Sequence, residues 1–599
     1  MAEEENLASQ HGGIVHEAGA CPASATSNRR LTAVAFCVGL YMIFAGLGQL
    51  PLMEPDEGRN AEVAREMKNA TSWSRSWLIP TLDGLPYMDK PAFYFKTVAL
   101  SFALLGESEA TARLPSALFG FALLGMVYLF CRRVYNARCA ALAVLVVATC
   151  PMYFVLARVV IMDMPLAFFV CGAVFAGYLA EDSDAPRRKR WYLLATASAG
   201  IGTLVKGPIG FFLPLLVLTI FNWLDGKRDF WKRCLAPLNV LLFFTIVLPW
   251  FIGASFFERD FPYYGVVHET FLRLVRSEFT PRGGPIYFFV PVVIVGLLVW
   301  SLLLPEGALV AWTTRKRRHR ADRLLIVWSI ATFVFFSLPQ SKRPDYLLSM
   351  MVSLGALTAR VFDRAFECPD GRSAHLVQRA SVALAVVTLL VTALLAVGVF
   401  HPATLIGLFH LEGESIEPLA SFFPPMLVAA VVLSVLAVAA GVRRNARLAF
   451  AVFVLFTTLL VTASFGGLRQ SSEEHSAREL AERLLPLPPG AEVAFIGRLP
   501  MGLMFYLKRT IPVACHDGFE LTSFYIAFKL KRTHPWPDVT IPLDQFDRWV
   551  ATRDHPVYLI SKQRGHPRLD AIAAKHGATV TEVLPKRRWA ALIIPKGGD

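Results

Sequence analysis

Several common signatures are missing from this chain. It has no GxxxxGK[ST] phosphate loop, no GxGxxG dinucleotide fingerprint and no HExxH pair. An ATP-driven pump and a nicotinamide or flavin oxidoreductase are disfavoured on that ground, and no nucleotide or redox cofactor is called for. There is no CxxC and no disulfide framework. Of nine cysteines, Cys37, Cys131, Cys139, Cys150, Cys171 and Cys234 lie in or beside apolar runs, and Cys515 stands alone near the C-terminal end. Charged residues make up only 18% of the 599 positions. The period-2 alternation of an outer-membrane barrel is absent, as are internal repeats and low-complexity tracts. The first 30 residues are polar and carry acidic residues, so no cleavable signal peptide is expected there.

What remains is apolar. Hydrophobic residues make up 55% of the chain and the mean hydropathy is +0.47. Many runs reach the ~20 residues needed to cross a ~30 Å hydrocarbon core. The expected fold class is therefore a polytopic α-helical membrane protein. Thirteen spans are expected: 31–51, 111–131, 138–157, 163–180, 191–205, 208–224, 235–255, 286–311, 322–338, 346–363, 379–400, 421–441 and 447–466.

The net charge of +14 would suggest nucleic acid in a soluble protein. Here the excess sits in short loops, where membrane orientation explains it better. With the N-terminus inside, the cytoplasmic ends of the spans carry Arg132-Arg133, Arg187 to Arg190, Lys227-Arg228 with Lys232-Arg233, Arg315 to Arg318, Arg360 with Arg364, and Arg443-Arg444. The opposite loops hold only isolated cations such as Arg158, Lys206 and Lys342. Thirteen spans then place the C-terminal segment outside. Segment 92–106 is apolar but short and interrupted by Lys96. If it spanned, every later loop would invert against the charge rule, so it reads as an interfacial helix.

Three regions follow: a cytoplasmic tail 1–30, a membrane domain 31–470 with a long first outer loop 52–110, and a polar segment 471–599. The last has strand-like runs at 493–496, 511–514, 557–560, 580–583 and 590–594, with helical stretches at 541–551 and 568–576, which suggests a small α/β domain. Residues 59–69 of the first loop also look helical, with Ala61, Ala64 and Met67 on one face and Arg59, Glu62, Arg65 and Glu66 placed to pair.

The chemistry-bearing residues cluster at the outer boundary. Asp56 and Glu57 follow the first span directly. They either act on a substrate, or cap the following helix and favour its dipole. Tyr87-Met-Asp89-Lys90-Pro91 closes the loop, and Lys90 beside an apolar surface either binds a lipid phosphate as a point charge or snorkels. Arg158 and Asp163 flank a turn between spans, where ionisable residues are costly. They either serve a site or pair with each other. Loop 256–285 carries Tyr263, Tyr264, His268, Glu269, Arg273, Arg276 and Arg282. Arginines there can clamp a phosphate, while His268 lacks the spacing of a zinc motif. Ser341-Lys-Arg-Pro-Asp-Tyr346 is a further outer turn, in which Lys342 and Tyr346 either contact phosphate and sugar or anchor the interface. In Lys206-Gly-Pro208 the lysine marks a span end.

Taken together, Pro55-Asp-Glu-Gly-Arg-Asn-Ala-Glu-Val-Ala-Arg-Glu-Met67, Trp77-Leu-Ile-Pro, Leu82-Asp-Gly-Leu-Pro-Tyr-Met-Asp-Lys-Pro91, Ala112-Arg-Leu-Pro-Ser, Ile161-Met-Asp-Met, Leu204-Val-Lys-Gly-Pro and Ser341-Lys-Arg-Pro-Asp-Tyr346 resemble the bacterial lipid A aminoarabinose transferases. These belong to the wider protein O-mannosyltransferase-like glycosyltransferases with the C-type membrane fold. The resemblance covers most of residues 31–470. It implies thirteen spans, a periplasmic C-terminal domain, an inner-membrane location, a polyprenyl-phosphate sugar donor, typically undecaprenyl phosphate, and a lipid A phosphate or a protein hydroxyl as acceptor.

The resemblance makes Asp56 the first-loop acidic residue, Lys90 the donor-phosphate lysine and Asp163 the second outer acidic residue, with Lys342 and Tyr346 on the later turn. Asp56, Glu57, Lys90 and Asp163 are thus the candidate catalytic residues. Arg59, Tyr87, Arg158, Arg273, Lys342 and Tyr346 are the candidate substrate contacts. The resemblance also implies a divalent metal held by Asp89 and His268.

Three departures stand out. Asp89-Lys-Pro-Ala92 replaces Glu-Lys-Pro-Pro, which bears on the metal. Asn60 replaces an aromatic. Lys342-Arg-Pro-Asp-Tyr346 replaces Lys-Leu-Pro-Thr-Tyr, which bears on sugar and acceptor. A sugar-lipid transporter is the reading from another class. It predicts charges buried mid-span and inverted repeats, and neither is found.

Overall fold

The computed structural model describes residues 22–70, 75, 77–265, 284–304, 319–400, 423–562, 567–584 and 588–593. In its described residues, each of the thirteen apolar runs falls on one helix or on two or three consecutive helical pieces. Among the described residues, eight helices are long and apolar enough to cross a membrane: Glu109–Val134, Asp163–Glu181, Pro237–Phe257, Ile286–Leu303, Pro344–Glu367, Arg372–Val397, Pro424–Val442 and Ala446–Ala463. The chain is a multi-pass membrane protein.

Two expected boundaries need correction, and the short segment 92–106 is found as a helix. The first helix runs Pro22–Phe44, so it ends seven residues before the expected 51. The run 138–157 is two helices, Ala137–Ala148 and Pro151–Leu156, because Pro151 has no N–H to continue the first. The segment Phe93–Leu105 is a helix of 13 residues. At 1.5 Å per residue it extends only about 20 Å, and it exposes Leu100, Leu104 and Leu105.

In the first outer loop the helix Asp56–Asn69 begins three residues before expectation. Ala61, Ala64 and Met67 are buried as its spacing requires. A short antiparallel hairpin follows, β1 (Thr81–Leu82) and β2 (Leu85–Pro86).

The C-terminal region is a six-stranded mixed sheet in the order β5-β4-β3-β6-β8-β7. The strands are β3 (Glu492–Ile496), β4 (Val513–Cys515), β5 (Thr540–Pro542), β6 (Val557–Lys562), β7 (Val580–Leu584) and β8 (Arg588–Ile593). β3, β4, β5 and β6 run parallel, while β8 is antiparallel to both β6 and β7. β5 was not expected: residues 540–542 read as the start of a helix, which begins only at Phe546. Pro542 suits this edge strand.

Alternation along β3 sends Val493 and Phe495 to one face and Ala494 and Ile496 to the other. The first pair joins an apolar core that contains Ala61, Ala64, Met67 and Phe102 of the first loop. The second pair packs with Phe546, Leu569 and Ile572. The sheet region therefore shares its core with the first outer loop, and the two lie on one side of the membrane.

Polar contacts pin the same junction. Glu54 accepts the backbone N–H groups of Met501 and Gly502 at 2.7 and 2.6 Å. Asp83 accepts that of Ile511 at 2.9 Å. Gly58 lies so close to Gly502 that a Cβ on it would sit 2.5 Å from the Gly502 nitrogen. Replacing Gly58 by Val should therefore cost about 1–3 kcal/mol through overpacking. The expected result is a lower melting temperature in detergent and faster proteolysis within 471–499. An unchanged melting temperature would mean that the contact does not hold the two regions together.

Candidate functional site

Glu57 and Asp56 are neighbours in sequence but have opposite roles in the structure. Glu57 is buried and accepts four hydrogen bonds. Arg113 donates two, at 2.9 and 2.8 Å, and the Met53 and Val160 amides donate at 3.0 and 2.9 Å. Its carboxylate is saturated and faces the interior. The candidate catalytic assignment of Glu57 is therefore corrected to a tie-point.

Asp56 is the first residue of its helix, after the N-cap Pro55. It is about one quarter exposed, and its carboxylate is gripped by Arg59 on one side and by Arg343 at 3.3 Å on the other. Arg343 also holds Asp345 at 3.0 Å. Asp345 lies 3.3 Å from the Lys206 ammonium, and Lys206 pairs with Asp163 at 2.5 Å. Three carboxylates and three cations thus alternate from Arg59 to Asp163. Burial opposes the charges of Arg59 and Arg343, but the anionic neighbours outweigh it and hold both guanidinium pKa values above the ordinary range. Lys206 also lies 5.3 Å from the centre of the Tyr346 ring, a cation–π contact.

The inner end of this network opens into a cavity of about 530 Å³ lined by Lys90, Asp163, Lys206, Asp345 and Tyr346. Asp163 begins the apolar helix Asp163–Glu181 and Lys206 ends the helix Ala185–Lys206, so both charges sit at helix ends. Leu166 and Val170, one and two turns along from Asp163, line the deeper part with Leu213 and Phe335. The cavity thus has an apolar body between membrane helices and a charged head.

The remaining expected residues scatter. Tyr87 is buried, lies 6.0 Å from the Arg59 guanidinium and meets Phe95 edge-on. Arg158 does not line the cavity; it donates to the Met42 and Ile43 carbonyls at the end of the first helix. Lys342 is turned back onto the Pro339 carbonyl at 2.6 Å and is not among the residues that line the cavity. Both substrate assignments are corrected on that geometry. Arg273 and His268 lie outside the described residues.

Asp89 is buried and accepts hydrogen bonds from the Tyr264 hydroxyl at 2.7 Å and from the Tyr525 and Phe524 amides at 2.8 and 3.1 Å. Three donors on one carboxylate suit a structural acceptor rather than a metal ligand. Among the described residues no cluster of three His, Cys, Asp or Glu side chains could hold an ion. The described site does not fit the implied metal, and no step is routed through one.

Sequence reasoning passed over Lys206 as a span end and noted Arg343 and Asp345 only as departures. The signal was there: each is a charged residue at the outer membrane boundary. Asn60, the other departure, donates to the Val160 carbonyl at 2.7 Å and so holds the turn before Asp163.

The model of the dolichyl-phosphate-mannose-protein mannosyltransferase family matches residues 89–252. An undecaprenyl phosphate-alpha-4-amino-4-deoxy-L-arabinose arabinosyl transferase from Wigglesworthia glossinidia brevipalpis is 28% identical over 338 residues, 56% of this chain and 58% of that one. The enzyme of the same name from Edwardsiella ictaluri is 29% identical over 329 residues, 54% and 58% of the two chains. The chain thus matches under two thirds of the length of these relatives. The crystal structure of ArnT from Cupriavidus metallidurans bound to undecaprenyl phosphate superposes with a TM-score of 0.78 at 26% identity, covering 95% of this chain and 98% of that one.

Over nearly its whole length the chain has the fold of that aminoarabinose transferase structure.

Within that fold, the geometry separates residues that build the site from residues that face the cavity. Glu57→Ala should strand the buried Arg113 charge and cost about 3–5 kcal/mol, read as a fall in melting temperature. Asp56→Asn, at a carboxylate about one quarter exposed, should cost less, about 1 kcal/mol. Equal losses in thermal unfolding would contradict this division.

Proposed function

We propose that the chain is a bacterial inner-membrane glycosyltransferase that moves a sugar from a polyprenyl-phosphate donor to a lipid A phosphate on the periplasmic face. The observation that carries this reading is the cavity with an apolar body and a charged head at Lys90, Asp163, Lys206 and Asp345. A prenyl chain belongs in the apolar part, and its phosphate belongs at the head. A relative is named for undecaprenyl phosphate as the carrier of its sugar, which makes that lipid the donor proposed here.

The chemistry follows from the donor. The sugar's anomeric carbon is already activated as a phosphodiester, so no nucleotide is needed. An acceptor oxygen forms its bond to that carbon from the opposite face as the carbon–phosphate oxygen bond breaks. The carrier leaves as a phosphate monoester with an added negative charge. Cations placed where that charge develops lower the barrier, and Lys90 and Lys206 line the cavity for that role. Asp163, paired with Lys206, is placed to orient the sugar. Arg59 and Arg343 hold Asp56 between them and draw on its lone pairs, which makes it a poor proton acceptor. A phosphate acceptor, already anionic, needs no base.

A second reading is transfer to a hydroxyl, on protein or on another envelope glycan. The match of residues 89–252 to the protein mannosyltransferase model favours it. That acceptor would need a carboxylate base within hydrogen-bond reach.

The periplasmic placement of the sheet region rests on the positive-inside loops and on the core that it shares with the first outer loop. The proposed donor end, acceptor end and sheet region then all lie at one membrane face.

The test is mass spectrometry of lipid A from cells with the chain, without it, and with Lys90→Ala or Asp163→Asn. A phosphate-linked sugar that depends on the intact chain is expected, with each variant reduced on the order of 100-fold or more in transfer rate. Unchanged lipid A, with a sugar-dependent mass shift on glycoproteins or another glycan instead, would replace the first reading by the second.

A further inference from the structure

The sheet region carries a second cleft that the transfer site does not use. It has a volume of about 900 Å³ and is built entirely from residues 490–555. β3, β4, β5 and β6 run parallel, so the segments that feed them meet at one edge. Glu492 opens β3, Arg509 precedes β4, Asp538 precedes β5 and His555 precedes β6. The helix Phe546–Ala551 adds Arg548 and Trp549. No residue is shared with the membrane cavity.

Part of this wall is internally neutralised. The two His555 ring nitrogens meet Glu492 at 2.8 Å and Asp554 at 2.7 Å. Hydrogen bonds that these carboxylates accept, that of Glu492 first, raise the imidazole pKa and favour its charged form. Arg553 lies 3.8 Å from Glu492 and sits over the Trp549 ring at 4.7 Å. Its Nε is buried with no hydrogen-bond partner. Glu492 is thus already engaged by two cations.

Other lining groups are uncommitted. The side chains of Arg548, Gln545 and Asp538 make no hydrogen bond or ion pair among the described residues, though each lines the cleft. Arg509 spends one donor on the Ala491 carbonyl at 2.8 Å and has others left. Trp536 and Trp549 are half-buried and supply an apolar wall.

This set of groups reads as a recognition code. Guanidinium forks match phosphate or carboxylate. A carboxylate and a primary amide match vicinal hydroxyls, and indoles match the apolar face of a sugar ring. The volume lies within the ~300–1,000 Å³ of small-molecule sites.

We propose that this cleft binds an anionic saccharide, a sugar bearing phosphate or carboxylate, independently of the transfer site. Two sources share that chemistry: a soluble sugar phosphate and the headgroup of a membrane-anchored glycolipid.

The test is isothermal titration calorimetry on the full chain in nanodiscs. The probes are glucosamine 1-phosphate, a deacylated bis-phosphorylated glucosamine disaccharide, the uncharged disaccharide and inorganic phosphate. A phosphorylated saccharide should bind, and Arg548→Glu should weaken it at least 10-fold. Lys90→Ala should leave it unchanged, which separates this cleft from the membrane cavity. Preference for the disaccharide points to a glycolipid headgroup, and preference for the monosaccharide to a soluble sugar phosphate; either supports the proposal.

Gln545→Ala provides a milder variant, expected to weaken the saccharides but not inorganic phosphate, should Arg548→Glu disturb folding. The proposal is overturned if neither phosphorylated saccharide binds, if inorganic phosphate or the uncharged disaccharide binds as tightly, if Arg548→Glu binds like wild type, or if Lys90→Ala abolishes binding.

Discussion

The buried pair of Glu57 and Arg113 is the constraint on which the site depends. Arg113 donates to Glu57 and also to the Leu47, Leu50 and Pro51 carbonyls. Glu57 in turn accepts the Val160 amide. One ion pair therefore joins the exit from the first helix, the first-loop helix, the Glu109–Val134 helix and the turn that presents Asp163. Burying two charges costs several kcal/mol each unless every lone pair and proton is matched. Here the backbone carbonyls and amides complete the match, so the pair tolerates only one arrangement of the four segments.

Asp56 is positioned by that arrangement. It projects from the same helical turn as Glu57 but outward, into the alternating row that ends at Asp163. The row is neutral as a whole, which permits it to sit at the membrane boundary. It is also strongly polar at each point, so the groups facing the cavity are oriented before any substrate arrives. Preorganised charge of this kind needs no rearrangement when a phosphate gains charge. Lys90 adds a further cation at the cavity from the end of the same loop.

The C-terminal sheet region closes the site from the other side. Asp89, just before Lys90, accepts two backbone amides at the start of the helix Phe524–Leu530. Arg59 donates to the Thr522 carbonyl and hydroxyl, both at 3.1 Å. The first loop is thus held between membrane helices and sheet, with Arg59 and Asp89 fastened to the sheet and Asp56 and Lys90 turned elsewhere. Asp56 and Glu57 divide the labour because successive helical positions face directions about 100° apart.

Much of this was legible in the chain alone. Apolar run length follows directly from the cost of placing backbone in hydrocarbon, and it located the helices and the short Phe93–Leu105 segment. Period-2 runs located five of the six strands of the C-terminal sheet. β5 escaped because three residues carry too little pattern. Charged residues at outer boundaries marked Asp56, Lys90 and Asp163. What sequence could not assign was the partner of each charge. Glu57 reads like Asp56 until Arg113, 56 positions away, is seen against it. Lys342 reads like Lys206 until one turns to a carbonyl of its own loop and the other bridges two carboxylates. The sequence by itself determined which segments are long and apolar enough to enter the membrane, because transfer into hydrocarbon is a local property of each run. Only the tertiary structure decided which charges face the cavity and which hold the fold, because pairing depends on contacts between segments far apart in the chain.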